Sequence, residues 1–187
     1  MSASPRRSIN ARQAETVERL LSAGLAELRA VGSEALTIRT VAQRAGVSPA
    51  TAYTYLASKN HLFAELFWRF LTEDDHQPTG STPTRRLQSV TRHLADRLAG
   101  SSELAAAVTP ALLGSDPDVE RLRLRIGGEL VDRFRAALGG DPDPAVLETL
   151  ALAFSGALLQ AGMGLMTYTE MADRLDSVVA VIMKGNG

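Results

Sequence analysis

Four dipeptides limit what this chain can fold into: Ser48-Pro49, Thr82-Pro83, Asp116-Pro117 and Asp143-Pro144. In each, a side-chain oxygen able to cap a helix precedes a proline, whose fixed φ suits the first turn and whose missing N–H would have had no partner there. Each marks a helix start. No run of alternating β-branched residues is long enough to argue for a sheet, so an all-α fold is expected. The spacing predicts about nine helices, near 11–30, 37–45, 49–55, 59–73, 83–99, 103–113, 117–138, 144–167 and 170–184.

Apolar periodicity gives these helices faces. Val17, Leu20, Leu21, Leu25 and Leu28 line the first, which Gly32 should end, and Leu62, Phe63, Leu66, Phe67 and Phe70 line the helix that Ser58 caps. Residues 74–81, with Pro78 and Gly80, read as a linker. Helix 144–167 has two opposite apolar stripes: Leu147, Leu150, Phe154, Leu158 and Leu165 on one side, Leu152, Gly156, Leu159, Met163 and Met166 on the other. A helix apolar all round must be covered twice, once by its own core and here, we expect, once by another subunit. Ser155, Gly156, Gly162 and Gly164 would let a crossing helix come close.

The chain has 187 residues, 45% hydrophobic and 22% charged, as in ordinary globular proteins. It has no cysteine, which excludes disulfide frameworks, thiolate metal sites and cysteine nucleophiles. The basic N-terminus lacks an apolar segment behind it, and no stretch reads as ~18 consecutive apolar residues, so no membrane association and a cytoplasmic location are expected. Residues 1–70 carry nine Lys+Arg against five Asp+Glu, while residues 71–187 carry eleven against sixteen. The basic part is suited to a polyanion. His61, His76 and His93 are scattered, and neighbouring Asp74, Asp75 and His76 on a loop do not make a metal site. Gly127-Gly128 and Gly139-Gly140 lack the context of a phosphate loop, and no Gly-x-Ser-x-Gly or His-Glu-x-x-His occurs. No enzyme and no cofactor are expected.

The chemistry is concentrated in residues 37–67, TIRTVAQRAGVSPATAYTYLASKNHLFAELF. Val41, Ala42 and Ala45 are small or apolar, Gly46 supplies a tight turn, Val47 can plug the corner, and Ser48-Pro49 starts the next helix at once. That is the grammar of a helix-turn-helix. Its short second helix offers methyls, hydroxyls and a ring from Pro49, Ala50, Thr51, Thr54 and Tyr55, with no acid between Ser48 and Ala57. Such a helix fits a major groove about 12 Å wide.

Val41-Ala42, Ala45-Gly46-Val47-Ser48, Tyr53-Thr54-Tyr55 and Ser58-Lys59 resemble the signature of the TetR family of bacterial transcription regulators, over roughly residues 14–67. Leu56 and Ala52 depart from it, standing where the family usually has Phe and a larger apolar residue. The resemblance implies that Tyr53 and Lys59 hold DNA phosphates, that Thr51, Thr54 and Tyr55 face base edges with Ser48, Pro49 and Ala50 beside them, and that Thr37, Arg39 and Thr40 reach the backbone. His61 should lie near DNA, and Arg6, Arg7 and Arg12 could add contacts from a flexible basic arm over residues 1–10.

The implied organisation is a helix-turn-helix domain over 11–57 and a regulatory domain over 58–187, with the fourth helix bridging them. A homodimer would meet a palindromic, double-stranded operator. Its interface would use the last two helices, through Leu152, Gly156, Leu159, Met163 and Met166 on one and Leu175, Val178, Val179 and Ile182 on the other. An unidentified, apolar small-molecule effector would enter among Leu94, Leu98, Leu112, Ile126, Leu130, Phe134, Phe154 and Leu158 and release the DNA. An activator or a ligand-independent regulator is the alternative within the family.

Overall fold

The computed structural model describes residues 5–185, without the side chains of residues 5–10. The described residues form nine helices and no strand: α1 (Pro5–Ala35), α2 (Ile38–Ala45), α3 (Pro49–Tyr55), α4 (Lys59–Thr72), α5 (Pro83–Ala99), α6 (Ser102–Leu113), α7 (Pro117–Leu138), α8 (Pro144–Gly162) and α9 (Tyr168–Ile182). The fold is all-α, as expected. All four capped prolines open their helices, with Ser48, Thr82, Asp116 and Asp143 each accepting a hydrogen bond from a first-turn N–H.

The boundaries differ from the sequence expectation most at α1 and α8. Gly32, expected to end the first helix, does interrupt it with a non-helical φ of 77°, and helical backbone then resumes to Ala35. Helix α8 stops at Gly162 and not near 167, because Thr167 and Glu170 form a capping box that starts α9 at Tyr168. Of the basic arm expected over 1–10, residues 1–4 and all side chains lie outside the described part, and the backbone is helical from Pro5.

Two cores share the chain. One packs Leu20, Leu28, Val41, Ala52, Leu56 and Leu62 of α1–α4 and their neighbours together with Leu104, Ala107 and Ala111 of α6. The other fills the space among α4–α9, including Ala64, Phe67 and Leu71 of α4 and Ala105 and Val108 of α6. Helices α4 and α6 thus each place one face in either core. Beyond α4, Asp74 ties three elements: Arg133 Nη1 of α7 donates to its Oδ2 at 2.7 Å, and His93 Nε2 of α5 lies 2.9 Å from its Oδ1. His76 stacks on His93 with ring centroids 4.0 Å apart.

Helix α8 comes closer to a bilayer span than the sequence reading allowed. Its 19 residues are long and apolar enough to cross a membrane by length and composition. Val146, Leu147, Leu150, Phe154 and Ala161 are nevertheless buried in the second core. Here the apolar length serves packing on one side and leaves an apolar stripe on the other.

Candidate nucleic-acid interface and effector cavity

The helix-turn-helix is built by reciprocal capping. Thr37 Oγ1 accepts from Thr40 N at 3.1 Å, and Thr40 Oγ1 accepts from Thr37 N at 3.2 Å. Ile38, Val41, Ala42 and Ala45 bury one face of α2. Gly46 then takes φ 65°, a left-handed conformation that favours glycine, and its N–H closes the helix. Arg19 Nη2 of α1 donates to the carbonyls of Ala45 and Gly46 at 2.6 and 3.1 Å, stapling the turn from behind. Arg44 Nε donates to Glu27 Oε2 at 2.7 Å, and hydrogen bonds from Arg44 and Thr40 hold the Glu27 carboxyl below its ordinary pKa. Spacing along the sequence gave no sign of Arg19 or Glu27, since both act across about twenty residues.

Helix α3 stands on Ala52 and Leu56, both buried, which explains their apolar identity whatever their size. Pro49, Ala50 and Thr54 are exposed and Tyr53 is 51% exposed. Thr51 and Tyr55 are half-buried, Tyr55 against the first core and Thr51 with its Oγ1 2.8 Å from Ser48 Oγ. The face presented outward is therefore Ser48, Pro49, Ala50, Tyr53 and Thr54, with Thr51 and Tyr55 at its flanks. Arg39 is exposed and has no hydrogen-bond or ionic partner among the described residues. Lys59 is engaged: its Nζ donates to the carbonyls of Ser33 and Glu34 at 2.9 and 3.4 Å, fastening the end of α1 to the start of α4. An ammonium has three donors, so this leaves room for a phosphate. His61 is half-buried; its Nδ1 accepts from Ala57 N at 3.2 Å, and Glu65 raises its pKa.

On α8 and at its C-cap, Leu152, Gly156 and Met163 face outward, with Leu152 68% exposed. Val178 and Val181 of α9 are exposed beside them, and Ile182 is half-buried. Met166, Leu175 and Val179 are buried in the chain's own second core, against their expected place on this face. Leu175 and Val179, four apart, share the face of α9 turned to the core, and Met166 lies in the connection between α8 and α9.

A cavity of about 290 Å³ opens among α6, α7 and α8. Of the expected effector residues, Leu112, Ile126, Leu130 and Leu158 line it. Leu94, Leu98, Phe134 and Phe154 do not; they fill the core, Phe134 and Phe154 meeting edge to face at 5.8 Å. The wall also includes Phe67, Thr109, Leu113 and Arg123, which the sequence reading missed, and Leu159, which it had placed on the dimer face. Arg123 was detectable as a charge at an apolar-stripe position, between Val119 and Ile126 on α7.

The family model for bacterial regulatory proteins of the TetR family matches residues 20–66. An uncharacterized HTH-type transcriptional regulator of Mycobacterium tuberculosis (strain ATCC 25618 / H37Rv) is 45% identical over 181 residues, covering 95% of this chain and 85% of the relative. This chain belongs to the TetR family. Solved TetR-family structures share its fold. A TetR transcriptional regulator from Rhodococcus sp. RHA1 superposes with a TM-score of 0.80 at 19% identity, covering 91% of this chain and 96% of that one. The TetR-family transcriptional repressor FadR of Thermus thermophilus, in complex with lauroyl-CoA, superposes with a TM-score of 0.65 at 20% identity, covering 90% and 93%.

This TetR-family member is a transcriptional regulator. At the first turn of α4 a polar contact reaches the start of α7: Ser58 Oγ donates to Asp116 Oδ2 at 2.5 Å. Each of the two caps a helix, Ser58 accepting from His61 N and Asp116 from Asp118 N. The Ser58 hydrogen bond holds the Asp116 carboxyl below its ordinary pKa.

Proposed function

We infer that this regulator is a repressor, binding a palindromic operator as a homodimer and leaving it when a small apolar effector enters the α6–α8 cavity. The observation that carries this reading is the uncharged face of α3, held clear of the body on Ala52 and Leu56 with Tyr53 and Thr54 outermost. One such helix makes too few contacts for useful specificity; two on a two-fold axis read half-sites about 34 Å apart. Leu152, Met163 and Val178 offer a face on which a second copy would seat. The lauroyl-CoA bound by the Thermus repressor makes an acyl chain a reasonable occupant for walls of Leu and Ile. Release then requires only that the occupant prefer a conformation whose two reading helices no longer match successive grooves.

Sedimentation velocity and fluorescence anisotropy on DNA from upstream of the gene test this. A dimer is expected, with salt-sensitive binding. Tyr53→Ala should weaken binding about tenfold on every sequence, and Thr51→Ala or Tyr55→Ala should change the preferred bases. A strict monomer indifferent to DNA at low salt would defeat the reading.

A further inference from the structure

The cavity among α6, α7 and α8 has carbon walls with one cation among them. Arg123 is half-buried on that wall, at a position where the spacing of Val119, Leu122, Ile126 and Leu130 would place an aliphatic side chain. Its Nε donates to the Leu112 carbonyl at 2.7 Å and its Nη2 to the Gly114 carbonyl at 2.6 Å, tying down the end of α6. Those bonds use two of five N–H donors. Arg86 makes the same fork on the carbonyls of Ala137 and Leu138, so helix capping alone accounts for such a geometry. Arg123 differs in facing a cavity, and no carboxylate pairs with it among the described residues. Helix-end carbonyls carry only a fractional negative charge, which leaves most of a positive charge against apolar walls, where charge is costly unless paired.

We propose that the effector is an apolar chain with an anionic head, and that Arg123 selects it by pairing with that head. This rests on reading the cavity as the effector site. The volume, about 290 Å³, lies at the lower end for small-molecule sites and suits a medium-length chain. The same residue connects occupancy to DNA. Gly114, which Arg123 holds, is two residues from Asp116, whose carboxylate receives Ser58 at the first turn of α4. A head group that draws the guanidinium from the α6 carbonyls loosens that loop and, through it, the seat of the DNA-reading part.

Calorimetric titration of the full chain with decanoate, 1-decanol and decanoyl-CoA provides the test. Decanoate or decanoyl-CoA should bind at least about tenfold more tightly than decanol, the scale of a charge-assisted pair. Arg123→Gln, which keeps an amide donor for the α6 carbonyls, should abolish that advantage. An Arg123-dependent advantage for decanoate identifies the head as a carboxylate; one confined to decanoyl-CoA identifies it as phosphate. If Arg123→Gln does not fold, Arg123→Lys keeps the charge, and it should keep the preference for the anionic probe. Equal affinity of the wild type for all three probes, or an advantage that survives in folded Arg123→Gln, overturns the proposal while leaving an apolar effector in place. Binding of no probe overturns the proposal and removes a straight-chain effector from the parent reading, while the dimer and its operator are tested separately.

Discussion

Gly162 illustrates what a missing methyl group decides. A Cβ there would lie 2.3 Å from Thr109 Oγ1 and 2.8 Å from both Thr109 Cβ and Cγ2. Thr109 is buried and donates to the Ala105 carbonyl, so it has no flexible tip with which to yield. Gly162→Ala should therefore cost about 2 kcal/mol, the usual range for overpacking, measured as a shift in urea midpoint. Gly128→Ala, where a Cβ meets nothing within 4 Å, should be neutral or slightly stabilising. The sequence marks Gly162 as a place of close approach but assigns it to a crossing helix of another subunit. Spacing reveals that something comes near, and only the packed structure reveals that it is this chain's own α6.

Among elements, starts were more legible than ends. The cap-proline pairs fixed the openings of α3, α5, α7 and α8 because they are local chemistry. The end of α8 was hidden, since Leu165 and Met166 continue the apolar pattern past a helix that has already stopped. The exposed face of α3 was legible in part for the same local reason, although Thr51 and Tyr55 are half-buried. The cavity was only half so: an apolar stripe looks alike whether it fills a core, as Leu94 and Phe134 do, or borders a void, as Ile126 and Leu130 do. Asp74 was read as a loop residue, yet it clamps α5 and α7 to the end of α4. Burial pushes its carboxyl pKa up, but hydrogen bonds from His93 and the His76 N–H and the charge of Arg97 outweigh this and hold it below the ordinary value. The stabilisation is thus complete above the unfolded carboxyl pKa of about 3.9 and is lost as pH falls through the lower folded value. Asp74→Asn should cost about 3 kcal/mol at neutral pH, as breaking a largely buried ion pair does, and the loss should shrink in acid. Urea titrations at several pH values would show an unshrinking difference if the clamp does not act this way.

At the scale of the whole molecule, the outward side of α8 and α9 is the largest claim the sequence makes on a second copy. Leu152 and Met163 are exposed, and nothing among the described residues covers them. Leu152→Glu should leave the fold intact by circular dichroism, yield a monomer by sedimentation velocity and weaken DNA binding by more than about tenfold, because half the contacts are lost. A Leu152→Glu protein that remains dimeric would place the interface elsewhere. Helix α6 constrains the molecule differently. Leu104, Ala107 and Ala111 serve as floor for the DNA-reading part although they stand well beyond the linker, on α6. A head transplanted onto another regulator's body would arrive without its floor, so the two halves of such a chain cannot be exchanged like cassettes at residues 74–81. They must diverge together, each change in the sensing half being vetted by the half that grips DNA.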